Sequence, residues 1–351
     1  MVTPDPSGAS PAPGDIEEQS QRTSRRIIRN LLVIAVAGVG FYFVGPKVAD
    51  VFSSFPKLTT VNPAWLVVIG ACEVLSFIMT WEMLRIALHT KQWGPIATAQ
   101  LSGNAFSSIV PGGAPAGAAL QVRMLSQVGI DTTRAAAGMT VFTLLQFASL
   151  TALPVLALPT IIGGAAVPPG LQYSAIVGAI AFLVIVGVGA ALAALDGPLR
   201  GAGRALQWVD NRLHQDRAPV RDLPARLITQ RNQTRHMLGE KWRPALVVTM
   251  ARIAFDYLAL LASLAAVGAD VRPSLVLLAY SAAVVLALIP ITPGGLGFVE
   301  AGLTGLLTLA GASAGDAVFA TLIYRLASYW LPLLAGPVAY VVFRVRHREA
   351  T

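Results

Sequence analysis

The stretch Leu286–Leu307, LALIPITPGGLGFVEAGLTGLL, decides how the chain folds. It begins and ends as apolar sequence, yet Pro290, Pro293, Gly294, Gly295 and Gly297 interrupt it and Glu300 follows them. Proline removes an amide donor and glycine admits left-handed backbone, so the centre reads as a sharp turn. Irregular backbone inside apolar sequence is tolerated only where protein covers it or water reaches it. The stretch therefore reads as the tip of a helical hairpin whose second arm starts near Leu296. The free amides at that start suit a phosphate or carboxylate. A plain turn with water-satisfied amides is the other reading, and both stay open.

The rest of the composition fits a membrane setting. Of 351 residues, 55% are hydrophobic and only 13% charged, and the mean hydropathy is +0.64. A soluble domain carries about 25% charged residues. Several windows of roughly 18–25 residues hold almost no charge, the length that crosses about 30 Å of hydrocarbon. The fold class is an all-α polytopic membrane protein. A net charge of +8 would suggest nucleic acid in a soluble chain. Here the basic residues sit between apolar runs, as in cytoplasmic loops, so no nucleic-acid partner is expected. The single Cys72 allows no intrachain disulfide. His89, His214, His236 and His347 make no metal-ligand spacing. The chain shows no phosphate loop ending in Lys-Ser/Thr and no nucleophile elbow. Neither a metal nor a cofactor, nor a soluble catalytic domain, is expected.

Residues 1–21, rich in Pro, Ser, Gly and acid, read as a disordered cytoplasmic tail. Arg22, Arg25, Arg26 and Arg29 lead into a retained first span, Ile27–Gly45. Further spans are Ala64–Leu88, Ala135–Ile162, Leu171–Leu195, Pro244–Val267 and Ala317–Phe343. Two apolar segments are broken: Ile96–Leu125 at Pro111, Gly112 and Gly113, and Ser274–Ala310 at Pro293, Gly294, Gly295 and Gly297. Between Asp196 and Arg243 lie ten basic residues and five acids, and Leu206, Val209 and Leu213 recur at helical spacing. That loop reads as cytoplasmic, with an interfacial amphipathic helix beside Trp208. All basic clusters, including the tail 346–351, share the cytoplasmic face if each broken segment is a hairpin that leaves by its own side. The layout is then about six full spans and two oppositely inserted re-entrant hairpins within a domain over 22–345. Both termini are cytoplasmic, and the location is the plasma (inner) membrane. Paired broken segments of this kind point to an inverted-repeat transporter with a site near the midplane.

Charged residues within the spans are the candidate site, because a carboxylate at membrane depth faces a cavity or a cation. Glu300 lies one turn into the second arm, and Arg325 in TLIYRLASYWLP is its natural partner, with Tyr324 and Tyr329 nearby. Arg252 and Asp256 are spaced i, i+4 and share a helix face, where pairing is available. Glu73, Ser76 and Thr80 line one stripe at i, i+3, i+7, whereas Glu82 and Arg85 read as a boundary salt bridge. Arg123, after the first hairpin tip, is either a head-group contact or a positive-inside anchor. For each internal charge a structural ion pair is the alternative to a substrate contact.

The blocks IPITPGGLGFVEAGL and IYRLASYWLPLLAGPVAY resemble the C-terminal signature of the lysylphosphatidylglycerol synthase transmembrane (flippase-like) family. RIAFD and NAFSSIVPGGAPAGAALQVRML are similar to its other two signatures, and the likeness covers roughly 27–345. The chain departs from the family where a Gly-Glu pair is common, since Ala116, Gly117 and Ala118 stand there before Arg123. No aminoacyltransferase segment is seen, so the resemblance implies a stand-alone translocation unit. The implied function is a lipid translocase. Its cargo would be an anionic or aminoacylated phospholipid, or a polyprenyl-linked lipid. Among the substrate-site candidates, Arg252, Arg325 and Arg123 would hold the head group, Asp256 and Glu300 would balance charge or carry a coupling proton, and Glu73 is the deeper acid. The alternative is an intramembrane enzyme or accessory subunit acting on lipid-linked sugars, with envelope-synthesis enzymes as partners.

Overall fold

The structure is a computed structural model that describes residues 62–110, 113–162, 194–213, 221–239, 241–287 and 293–347, with scattered positions between 173 and 192. The N-terminal tail, the first span Ile27–Gly45, the tip residues Pro111 and Gly112, and most of Leu171–Leu195 lie outside the described residues. The elements are α1 (Pro63–Leu88), α2 (Trp93–Ile109), α3 (Ala114–Gln127), α4 (Thr132–Ile162), α5 (Asp196–Leu213), α6 (Leu223–Leu238), α7 (Trp242–Ala266) and α8 (Pro273–Ala287). A 3-10 turn (Pro293–Gly295), α9 (Phe298–Leu309), α10 (Ala314–Arg325), a π turn (Leu326–Trp330) and α11 (Leu331–Arg346) complete the chain. No strand occurs among the described residues.

Local chemistry sets the ends. Asn62 caps α1 by accepting from the Ala64 amide at 3.0 Å, with Pro63 preorganised at the first helical position. The helix stops at His89, whose φ of 51° is left-handed. Ser313 caps α10 and Asp316 supplies a negative charge to its first turn. Three described helices are long and apolar enough to cross a membrane: α1, α7 and the continuous Ala314–Arg346. The second arm of the later broken segment is shorter. Helix α9 has 12 residues, so it reaches only about 18 Å at ~1.5 Å per residue, less than about 30 Å of hydrocarbon.

The core has two ends. One cluster joins Ile69 of α1, Leu153 of α4, Leu260 of α7, Leu278 of α8, Leu303 and Leu307 of α9, and Ile323 of α10. The other joins Leu84 and Leu88 of α1, Ile96 of α2, Met124 of α3, Phe142 of α4 and Phe343 of α11. Helices α1, α4 and α10–α11 contribute to both clusters from opposite ends, so they run the length of the bundle. The hairpin α2–α3 fills one end and α8–α9 the other. Their tips approach in a third, small cluster of Ala105, Leu296, Trp330 and Leu333.

Small residues allow this close packing. A Cβ on Gly336 of α11 would land on Ala105 and sit 2.7 Å from the Leu101 carbonyl of α2. Gly336→Val is therefore expected to lower stability by about 1–3 kcal/mol through overpacking, read as an earlier thermal transition of the purified chain in detergent.

Helix α5 is amphipathic. Leu206 and Val209 are exposed on one side of it, and Trp208 emerges on the basic side under the Arg212 guanidinium, 5.5 Å from the ring centroid. Asp196 ties α5 to α6 through Arg231 at 2.6 Å.

Candidate functional site

The turn that interrupts the second hairpin needs glycine. Gly294, Gly295 and Gly297 have φ of 61°, 72° and 79°, a region that side-chain-bearing residues rarely adopt. Because Gly297 returns to positive φ, α9 starts at Phe298, two residues beyond the expected Leu296. Leu296 instead buries its side chain between the two hairpin tips.

Glu300 then fastens the turn. One carboxylate oxygen accepts from the Gly297 amide at 2.7 Å, as a third helical residue does when it reaches back to the cap. The other accepts from Arg325 Nε at 2.9 Å. The Arg325 guanidinium stacks over the Tyr329 ring at 4.4 Å and reaches the Gly294 carbonyl at 3.5 Å. The amide that made this helix start look like an anion site is thus occupied from within the chain. Arg325 meets the expected partner, whereas Tyr324 turns elsewhere.

Tyr324 belongs to a second group, centred on Asp256. Its hydroxyl donates to both Asp256 oxygens at 3.1 and 3.2 Å, and the Tyr280 hydroxyl makes a short hydrogen bond to Oδ2. Tyr257 stacks on Tyr280 with centroids 5.7 Å apart. The available i, i+4 pair is not formed, because tyrosines from α8 and α10 take the Asp256 oxygens. Among the described residues, no hydrogen bond or ion pair holds the Arg252 guanidinium. Glu73 of α1 is only 4% exposed, lines the same cavity as Asp256, and leaves Oε1 without a partner.

Glu73, Arg252 and Asp256 face a cavity of about 190 Å³. Its walls are Glu73, Ser76, Phe77 and Thr80 of α1, Gln100, Asn104 and Ser108 of α2, Gln146 of α4, Arg252 and Asp256 of α7, and Ser328 and Tyr329 of the π turn. Gln100 accepts from Trp81 Nε1 at 3.2 Å, which fixes its carbonyl end. The π turn widens the last helix by one residue where Ser328 and Tyr329 enter the wall, a distortion frequent at functional sites.

Of the six charged candidates, Glu73, Arg252 and Asp256 line the cavity together. Glu300 and Arg325 stand behind the wall and touch it through Tyr329. Arg123 is exposed on α3, outside the lining, and Gly113 is buried at the start of that helix. Glu82 and Arg85 form their pair at 2.5 Å. Unanticipated were Gln100, Asn104 and Ser108, whose i, i+4, i+8 spacing was a readable stripe. Gln146 and Tyr280 gave no such signal.

A bundle of apolar helices, broken by two hairpins around a charged and amide-lined interior, defines a multi-pass α-helical membrane protein with a polar cavity. The chain belongs to the family described as the lysylphosphatidylglycerol synthase TM region, whose model matches residues 30–336. It is also similar to a UPF0104 membrane protein of Methanothermobacter thermautotrophicus, 31% identical over 96 residues. That match spans 27% of this chain and 27% of the relative.

Proposed function

We propose that the protein is a lipid translocase that passes a head group between leaflets through the cavity while the acyl or prenyl tails stay in lipid. The observation that carries this reading is the Arg252 guanidinium, which lines the cavity without an ion-pair partner among the described residues. An intramembrane cation that makes no direct ion pair and faces water-sized space suits an anionic group such as a lipid phosphate. The hydroxyls and amides of Ser76, Asn104, Ser108 and Ser328 supply exchangeable hydrogen bonds for a moving polar cargo. The cargo class is an anionic or aminoacylated phospholipid, or a polyprenyl-linked lipid. The basic clusters place both termini and the 196–243 loop on the cytoplasmic face of the plasma membrane in this reading.

The test is leaflet accessibility in proteoliposomes. With each lipid class fluorescently labelled in turn, the reconstituted chain is expected to accelerate exposure to an impermeant quencher at least ten-fold for one class over protein-free vesicles. Equal rates for every class would remove the proposal.

A second reading has one observation in its favour. Two of the three internal carboxylates, Glu73 and Asp256, converge, as general acid–base chemistry on a lipid-linked sugar would need. Glu300 stays with Arg325. Mass spectrometry separates the readings: a carrier returns its lipid unchanged, whereas an enzyme yields a product of different mass.

A further inference from the structure

The cavity holds more acid than base. Glu73 and Asp256 face Arg252, while the nearby Glu300 and Arg325 already neutralise each other. Two carboxylates against one guanidinium leave an excess of one negative charge when both are ionised. At membrane depth such an excess is costly unless a positive charge offsets it. Glu73 shows where that charge belongs. Its side chain is 96% buried (4% exposed), lines the cavity, and keeps Oε1 without a protein partner. It shares that wall with Asp256. The Asp256 oxygens are held from behind by the Tyr280 and Tyr324 hydroxyls, which fixes one half of the pair in place.

We propose that Glu73 and Asp256 form a carrier site for one exchangeable positive charge, a proton or a monovalent alkali cation, that is bound and released as the cavity changes its opening. The proposal deepens the translocation reading and rests on it for the word carrier; the site itself stands on the geometry alone. The two carboxylates belong to α1 and α7, which pack along each other. Occupied, the site draws the helices together at the level of the cavity; empty, two like charges face each other and push them apart. The groups facing the pair are Cys72 on α1, Arg252 on α7, Tyr280 on α8 and Tyr324 on α10, with Tyr329 across the cavity. Arg252 couples charge to cargo, because an anion that engages it withdraws its compensation from the carboxylates.

The experiment needs no labelled cargo. The full-length chain in phosphatidylcholine vesicles is adsorbed to a solid-supported membrane and given two jumps, Na⁺ replacing choline at fixed pH and a pH step at fixed salt. Wild-type protein is expected to give a transient charge displacement. A signal in the sodium arm identifies an alkali cation and one in the pH arm a proton; signals in both that suppress each other identify one shared site. Glu73→Gln is expected to reduce the displaced charge at least ten-fold, and Glu73→Asp to retain it with a shifted midpoint. Asp256→Asn gives the same reading if Glu73→Gln does not fold. Silence in both arms, or wild-type transients in folded Glu73→Gln and Asp256→Asn, overturns the proposal. A transient without any leaflet exchange of lipid keeps the ion site and removes the translocation reading.

Discussion

Glu300→Ala is expected to cost about 3 kcal/mol of stability, the lower end of the range for removing one partner of a buried ion pair, because this pair is partly buried. The change does two things at once. It leaves the Arg325 guanidinium, 13% exposed, without its carboxylate, and it strips the Gly297 amide of its acceptor. Since that amide starts α9, the hairpin tip should loosen with the ion pair. Arg325→Ala should cost less at the turn, because Glu300 keeps its bond to Gly297. The double exchange Glu300→Arg with Arg325→Glu separates two accounts. A simple interhelical pair would be restored by the swap. The observed geometry predicts at most partial recovery, since an arginine at position 300 places a cation at a helix N-terminus and offers no acceptor to Gly297. Thermal unfolding of the single and double variants in detergent measures all three.

How much of this was readable in the sequence follows from which period carried each residue. The stripe Glu73, Ser76 and Thr80 was legible because α1 is a regular helix, and those three side chains do line the cavity. The glycines of the turn were legible because only a left-handed backbone calls for them in apolar sequence. The Arg252–Asp256 relation was not. Spacing put both on one face, but the partners of Asp256 arrive from α8 and α10, and local sequence carries no information about such tertiary competition. Tyr329 was named beside Arg325 and does stack against it, but Ser328 was hidden for a different reason: the π turn changes the residues per turn, so a 3.6-residue wheel assigns it to the wrong face. Gln100, Asn104 and Ser108 had a regular spacing, but the small residues around them weakened the pattern. The opposite insertion of the hairpins, inferred from charge, finds its counterpart in a core with two ends. Glu300, read from the sequence as the partner of Arg325, holds the turn, and the cavity chemistry lies one layer further in.

The largest functional effect is expected at Arg252. Its guanidinium lines the cavity and has no ion pair to lose among the described residues. Truncating it also removes the cation that faces Glu73 and Asp256 across the cavity, so stability should fall as well, by about 1–3 kcal/mol. If the guanidinium receives the anionic part of a moving head group, losing a charge-assisted bond there should slow passage at least ten-fold, about 1.4 kcal/mol or more in the barrier. Arg325→Gln offers the contrast, because it damages the fold before it affects the cavity.

The most direct measurement compares leaflet-exchange rates of wild-type and Arg252→Gln protein, reconstituted at equal density in the same vesicles with the lipid class that wild type moves best. The cavity account predicts rapid exchange for wild type and a rate at least ten-fold lower for Arg252→Gln, with the folded fraction of each protein measured by its thermal transition. Equal exchange rates for the two proteins would contradict it.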